Sequence, residues 1–231
     1  MAQSLPADLF AAEAMALAAV LSALSNQSVG RWSVTMKFEG LRLMPVAIRM
    51  TQALGENSLK PLLVWPDAGA AALARRDAPE LALDIRSIRD QLNSDHADDN
   101  NRLLLVAGPQ MSDYDEFADL CEKHAGSVVM LNGRLEDAAV GIGSVARARR
   151  RGFISSWQQA YWLEPLAGGA LMRAYPEEWM LFRADADGYR YAAGFEERPD
   201  AEAIDAGFGV DPGSLAQQLG SVERFLDGLS N

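Results

Sequence analysis

Four short apolar segments alternate with segments of helical periodicity along the first 131 residues of the chain. These segments are Trp32–Phe38, Leu62–Trp65, Leu103–Val106 and Ser127–Leu131. Such alternation predicts parallel strands joined by right-handed helical crossovers, because a parallel neighbour can start only after the chain has returned to the same end of the sheet. We therefore predict an α/β fold. Its N-terminal half is a Rossmann-like sheet of four parallel strands with helices on both faces.

The pattern changes in the second part of the chain. From Ala160 to Phe195, short alternating segments are separated by Gly-Gly, Pro-Glu and Asp-Gly steps. The Asp187-Gly188 step between two alternating segments is a strong hairpin signal, so we predict antiparallel strands here. The chain is predicted to form a single domain over residues 1–231, with an N-terminal helix in 1–30, the parallel α/β half in 31–155, antiparallel strands in 156–199 and a C-terminal helical segment in 200–231.

Composition narrows the classes of function. A formal net charge of -11 over 231 residues argues against non-specific binding to nucleic acid or to anionic lipid. The single cysteine, Cys121, excludes an internal disulfide and a cysteine-based metal cluster, and it fits a reducing cytosol. No metal and no cofactor is predicted.

Residues 7–25 are predicted to form an amphipathic helix packed on the surface of the fold. Leu9–Leu24 is rich in alanine and leucine, but it contains Glu13 and is shorter than a typical membrane span. We therefore predict no transmembrane segment, and the acidic residues of this region do not resemble a transit peptide. A helix that docks a partner is the alternative interpretation.

Polar residues follow the predicted strands and form the first candidate site: Glu39, Asp67, Asn132, Arg134 and Glu136. Ligands of open α/β sheets bind at the carboxyl ends of the strands, so these residues are candidates for binding an anionic ligand. Converging carboxylates could also shift one another's pKa or bind Mg²⁺. The alternative is that they are helix caps and turn residues, which are common in such loops.

An arginine cluster forms the second candidate site. Gly141-Ile142-Gly143 precedes Arg147, Arg149, Arg150 and Arg151, and this glycine pattern lies too far from a strand for a dinucleotide-binding fingerprint. On a helix, Arg147 and Arg151 share one face and would recognise a phosphate or carboxylate together. Arg149 and Arg150 point elsewhere and are candidates for partner binding, as is Trp157. A solvated charged helix is the alternative.

No catalytic residue is predicted. His96 and His124 lie in different settings and form no metal pair, and Ser112 has no histidine and carboxylate to activate it. We interpret Ser112 as the N-cap of the helix Asp113–His124, with Asp115 three residues on. Cys121 falls on the apolar face of that helix and is predicted to be a packed thiol rather than a nucleophile.

Several longer runs carry a family resemblance. VVMLNGRL, YWLEPLAGGALMRAYPEEWMLFRADADGY and FEERP, together with FEGLRLMP and WPDAGAAALARRDAP, resemble an uncharacterised domain family of cyanobacteria and chloroplasts, the domain of unknown function 1995 type. The likeness covers most of residues 30–200.

This family resembles plant plastid factors of photosystem II assembly, and the domain also occurs fused to a plastid adenylate kinase. The likeness implies a soluble cyanobacterial protein of the cytoplasm, peripheral to the thylakoid membrane. It would act as a non-catalytic accessory factor with photosystem assembly proteins as partners. Kinase activity is not implied, because the chain has no Gly-x-x-x-x-Gly-Lys-Ser/Thr loop. A binding protein or enzyme for a small phosphorylated ligand is the alternative function.

Overall fold

A computed structural model describes residues 4–27, 29–94, 101–135 and 152–209. Its α-helices are α1 Leu9–Asn26, α2 Leu43–Glu56, α3 Ala68–Asp77, α4 Ile88–Leu92, α5 Tyr114–Lys123 and α6 Ala201–Phe208. Its strands are β1 Arg31–Met36, β2 Leu62–Trp65, β3 Ile85–Ser87, β4 Leu104–Ala107, β5 Val128–Leu131, β6 Gln158–Leu166, β7 Gly169–Ala174, β8 Trp179–Asp185 and β9 Gly188–Phe195. Short 3-10 helices cover Pro79–Asp84, Met111–Asp113 and Ile154–Ser156.

The strands form a nine-stranded sheet in the order β3-β2-β4-β5-β1-β6-β7-β8-β9, so the α/β class is confirmed. The chain divides into two compact units. The parallel unit comprises Ala23–Val34 and Arg42–Gln158, and the antiparallel unit comprises Met1–Ser22, Thr35–Leu41 and Gln159–Asn231. The prediction of a single domain stays a prediction.

The parallel unit contains the four predicted parallel strands and one more. β1 pairs with β5, β5 with β4, β4 with β2, and β2 with β3, all in parallel. β3 is absent from the predicted strands because three residues are too few to show a period. The order 3-2-4-5-1 differs from the classic Rossmann order, in which the first strand is central, so the Rossmann-like arrangement is not confirmed.

Both faces of the central parallel strands are buried. Leu62 and Leu104 pack with Phe117 of α5 in one apolar cluster. Leu63 and Leu105 point to the opposite face, because strand side chains alternate, and both are fully buried as well. The helix α2 contacts β2 and β4 in the same unit. Strands buried on both faces explain why β2 and β4 are continuous apolar runs in the sequence.

The antiparallel unit confirms the predicted strands of the second half. β6, β7, β8 and β9 pair in succession, and the register Asp185 to Gly188 closes the predicted hairpin with a two-residue turn. The helical segment predicted from residue 200 begins with α6, whose N-terminus is capped by the Asp200 side chain, an acceptor for the Ala203 N–H at 2.9 Å. Ile204 of α6 packs against Trp162, Leu171 and Trp179.

The N-terminal helix is present as α1 and begins just after Asp8, whose side chain accepts a hydrogen bond from the Ala11 N–H. Its buried residues recur at helical spacing, as expected for a packed face: Ala12, Ala16, Ala19, Val20 and Ala23. At 18 residues, α1 is longer than the predicted apolar stretch and meets the lower limit for a membrane span. A single helix of this kind near the N-terminus, with 28% of it buried, is weak evidence for a span, because core helices and signal sequences can have the same length and composition.

Several predictions fall outside the described residues. They are the Gly141-Ile142-Gly143 step, Glu136, the four clustered arginines, His96 and the part of the predicted C-terminal helical segment after residue 209. One local prediction is wrong. Ser112 does not cap α5, because Gln110 and Asp113 cap the preceding 3-10 helix reciprocally, with the Gln110 N–H donating to Asp113 Oδ2 at 2.8 Å.

Candidate functional site

The carboxyl ends of the parallel strands lie along one rim of the parallel unit. Neighbouring strands end in matched register: Val64 with Val106, Ala107 with Leu131, and Leu131 with Val34. The loops after β2, β4 and β5 therefore start at the same rim. This is the geometry expected for a ligand site built from Asp67, Gly108 and Asn132.

The rim contains a topological switch point between β2 and β4. The connection after β2 leads through α3 to β3 on one side, and the connection after β4 leads through α5 to β5 on the other. The two crossovers thus leave neighbouring strands in opposite directions. Ligands of open α/β sheets bind at the carboxyl ends of the strands beside such a switch point.

Asp67, the polar residue that follows β2, is used as a helix cap. Its backbone is extended, with φ -127° and ψ 159°, and its Oδ1 accepts a hydrogen bond from the Ala70 N–H at 2.9 Å. An aspartate in this position satisfies an N–H group at the start of α3 that has no partner within the helix. The structural alternative considered for Asp67 is therefore observed.

Asn132 and Arg134 follow β5 at the rim. Asn132 adopts a left-handed backbone conformation, with φ 51°, and its N–H donates to the Val34 carbonyl at 2.8 Å. The Arg134 N–H donates to the Pro109 carbonyl at 2.8 Å, which ties the β5 loop to the β4 loop. The Arg134 side chain is exposed and has no hydrogen bond or ion pair with the described residues. Arg134 is therefore available to an anion.

Close packing restricts the loop after β4. Gly108 has φ +65°, and an added Cβ atom would lie 2.7 Å from Cδ2 of Leu43 at the start of α2. A larger residue would strain the backbone at this φ and would displace the end of the Leu43 side chain. Gly108 thus allows the left-handed turn that follows β4.

Glu39 is the one other predicted rim residue among those that the structure describes. Glu39 is an exposed residue of the antiparallel unit, beside the turn at Gly40 with φ +76°. Arg147 and Arg151, like Arg149 and Arg150, lie outside the described residues.

Trp157, the aromatic candidate for partner binding, packs inside the parallel unit. Its ring stacks on Phe117 with centroids 5.5 Å apart and meets Phe153 edge-on at 5.6 Å. The Arg31 guanidinium lies 5.1 Å from the Phe153 ring and donates to Ser156 Oγ at 2.9 Å. The contacts of Trp157 therefore anchor the segment that leads into β6.

Cys121 and His124, two residues with reactive side chains, are held by contacts within the parallel unit. Burial raises the pKa of the Cys121 thiol to about 12, and Cys121 belongs to the apolar cluster around Phe117. A thiol with that pKa is a poor nucleophile at neutral pH, as predicted for a packed cysteine. His124 ends α5, and its Nε2 lies 2.7 Å from the Arg102 carbonyl oxygen.

A cleft of about 630 Å³ lies at the amino ends of β2 and β4, on the rim opposite the predicted one. Its lining includes Leu59, Lys60, Leu81, Asp84 and Arg102. Arg102 donates to Asp84 Oδ1 at 2.6 Å and to the Lys60 and Pro61 carbonyls. The charged groups of the cleft thus join the segments that precede β2, β3 and β4.

A cluster of cations and tryptophans occupies one face of the antiparallel unit. The Lys37 ammonium lies 4.5 Å, and the Arg198 guanidinium 4.0 Å, from the centroid of the buried Trp162 ring. Glu164 accepts a hydrogen bond from Trp162 Nε1 at 3.0 Å. Its carboxylate also lies 3.5 Å from Lys37 Nζ and 4.0 Å from Arg198.

This cluster continues across the strands. Trp162 of β6 is the register partner of Arg173 of β7, and the Arg173 guanidinium lies 5.7 Å from the Trp179 ring of β8. The Trp162 and Trp179 centroids are also 5.7 Å apart. We call Lys37, Trp162, Glu164, Arg173, Trp179 and Arg198 the cationic-aromatic cluster.

The charged members of this cluster are not among the predicted site residues. One signal was available, because Trp162 and Glu164 are two residues apart in a strand and must share a face. A single arginine, Arg173, within the otherwise apolar segment ALMRA was a second signal.

The comparisons with known proteins give a family without a described activity. No curated protein matches the chain. The model of a family described as a domain of unknown function, DUF1995, matches residues 6–206. A match over most of the 231 residues shows that the chain belongs to the DUF1995 family.

Proposed function

We propose that this protein is a non-catalytic accessory factor of photosynthetic membranes that acts by binding a partner protein during photosystem II assembly. The setting comes from the likeness of the family to plastid assembly factors, and it implies a cytoplasmic protein peripheral to the thylakoid. The observation that carries the non-catalytic part is the use of polar side chains at the carboxyl rim. Asp67 caps α3, and Gln110 and Asp113 cap each other.

This observation bears on catalysis because a general base needs a carboxylate that is within reach of substrate and has a suitable pKa. The Asp67 oxygen is instead 2.9 Å from a backbone donor. That oxygen is therefore held by a structural hydrogen bond at the start of α3.

The experiment is a deletion of the gene in a cyanobacterial host, combined with affinity retrieval of the tagged protein from native membranes. We expect a lower ratio of photosystem II to photosystem I in the deletion strain and restoration by the wild-type gene. We also expect photosystem II assembly intermediates to be retrieved with the tagged protein. An unchanged ratio, together with retrieval that contains no photosystem II subunit, would contradict the proposal.

A second candidate function is the binding of a small phosphorylated ligand at the carboxyl rim. Two observations favour it: the switch point between β2 and β4, and the exposed Arg134 side chain beside the β4 loop. In this function the parallel unit acts as a Rossmann-like ligand-binding sheet, with Arg134 as the phosphate clamp. Arg147 and Arg151 would extend the clamp.

A thermal-shift panel of phosphorylated metabolites tests this second function. A ligand that binds the folded state raises the melting temperature, and Arg134→Ala should abolish that rise. Arg76→Ala is the matched control, because Arg76 is exposed in the same unit and pairs with the neighbouring Asp77 at 2.8 Å. A panel without any shift, or shifts that survive Arg134→Ala, would remove this candidate.

A further inference from the structure

The cleft at the amino ends of β2 and β4, which we call the amino-end cleft, has the dimensions of a small-molecule site. Its volume is about 630 Å³, and small-molecule sites typically have volumes of about 300–1,000 Å³. Such sites are lined mainly by apolar side chains with a few polar groups. Leu59, Pro61 and Leu81 supply the apolar part of this lining.

Gly55, near the end of α2, leaves one wall of the cleft without a side chain. A glycine inside a helix is destabilising relative to alanine, and it is needed where the backbone is left-handed or where another group approaches closely. Neither condition holds here, because the Gly55 backbone is not left-handed and an added Cβ atom would meet no heavy atom within 4 Å. The structural effect of Gly55 is therefore to keep the cleft open.

The charged groups of the cleft leave one cation for a ligand. Arg102 is already engaged, because its Nε donates to the Lys60 carbonyl at 2.8 Å and its guanidinium donates to Asp84 Oδ1 at 2.6 Å. These bonds hold the backbone that precedes β2. The Lys60 side chain is exposed and makes no hydrogen bond or ion pair with the described residues. Its ammonium group is therefore available to an anion in the cleft.

The charges favour a ligand with a single negative charge. One ammonium group balances one carboxylate, whereas a doubly charged phosphate would leave one charge unbalanced beside Asp84. The net charge of -11 is spread over the chain, and at 0.1 M salt exposed charges more than about 10 Å apart are largely screened from each other. The ammonium group of Lys60 therefore dominates the interaction with a small monoanion in the cleft.

We propose that the amino-end cleft binds a small organic acid, with its one carboxylate at Lys60 and its apolar body against Leu59 and Leu81. This site lies on the rim opposite Arg134. It is independent of partner binding and of the phosphorylated ligand considered for the carboxyl rim.

The test is a nuclear magnetic resonance titration of the ¹⁵N-labelled full chain with phenylacetate, with phenylacetamide as the uncharged comparison of similar shape. We expect saturable shifts of the Gly55 and Leu59 amide signals, and an affinity for phenylacetate about threefold to fivefold higher than for phenylacetamide. Lys60→Gln should abolish this preference. Lys123→Gln is the matched control, because Lys123 is an exposed lysine of the same unit that pairs with Asp119 at 2.8 Å, and its replacement should leave the affinity unchanged.

Two replacements of Gly55 test the open wall. Gly55→Leu places a side chain in the cleft and should lower the affinity for phenylacetate by about tenfold or more. Because an added Cβ atom meets no heavy atom within 4 Å, neither leucine nor alanine should disturb the fold. Gly55→Ala should raise the melting temperature by about 1–3 °C, since alanine is the better helix former.

Four outcomes would overturn this site. They are the absence of saturable shifts at Gly55 and Leu59, equal affinities for phenylacetate and phenylacetamide, an unchanged affinity in Lys60→Gln, and tighter binding of inorganic phosphate than of phenylacetate. A lower melting temperature of Gly55→Ala would give Gly55 a structural role and refute the argument from the open wall. If Gly55→Leu melts below wild type, Lys60→Gln alone decides, because Lys60 is exposed and its side chain has no contact of this kind to lose.

Discussion

Replacement of Asp67 tests whether this rim residue is a structural cap. In Asp67→Ala the Ala70 N–H loses its acceptor at 2.9 Å, and the N-terminus of α3 loses a negative charge. The loss of a cap costs about 1 kcal/mol in free energy of unfolding. In Asp67→Asn an oxygen acceptor remains and only the interaction with the helix dipole is weakened, which costs about 0.3–1 kcal/mol at an exposed site. We expect alanine to be the more destabilising replacement.

Urea unfolding followed by circular dichroism measures both variants. With an unchanged dependence on urea, a loss of about 1 kcal/mol moves the midpoint by roughly 0.3–1 M. The asparagine variant should lie between wild type and the alanine variant. If Asp67→Asn is as unstable as Asp67→Ala, the carboxylate charge matters rather than the cap. If neither variant differs from wild type, the hydrogen bond to Ala70 contributes nothing and Asp67 is free for another role.

Three further predictions concern the parallel unit. Cys121, with its pKa raised to about 12 by burial, should react with iodoacetamide at pH 8 far more slowly in the folded protein than in urea, and equal rates would contradict its packing. Phe117→Ala should cost about 3–5 kcal/mol in unfolding free energy, because Phe117 is fully buried against Trp157; a loss below about 1 kcal/mol in urea unfolding would refute this. Hydrogen bonds from Ser87 lower the pKa of Asp90, so its contribution to stability is present above the unfolded value of 3.8 and lost as pH falls through the lower folded pKa. The difference in unfolding free energy between wild type and Asp90→Asn should therefore narrow with acidification, and widening would contradict the assignment.

The sequence predicted those parts of the fold that depend on local pattern. β2 begins and ends at the predicted residues, and the Asp187-Gly188 hairpin joins β8 and β9. Apolar runs and turn residues act over a few positions, so they are visible in one sequence. β3 was missed because three residues carry no period, and the cap at Ser112 was wrong because Gln110 and Asp113 satisfy each other's groups first.

Some features of the candidate sites were also predictable from local sequence pattern, and others required the tertiary structure. The alignment of the rim follows from parallel pairing, which the alternation of strands and helices predicted. The role of Asp67 required the backbone geometry at the start of α3, since the same residue could cap a helix or face a ligand. Arg173 and Trp162 are 11 positions apart in the chain and become neighbours only through the register of β6 and β7.

The sequence by itself determined the class of fold, the approximate strand positions and membership of a family whose activity is not described. Tertiary structure alone decided that β1 lies beside β5 and that a switch point separates β2 from β4. It also decided that Lys37, Arg173 and Arg198 surround two tryptophans. The physical reason is that strand order and register depend on the packing of residues far apart in sequence, and no local propensity encodes those contacts.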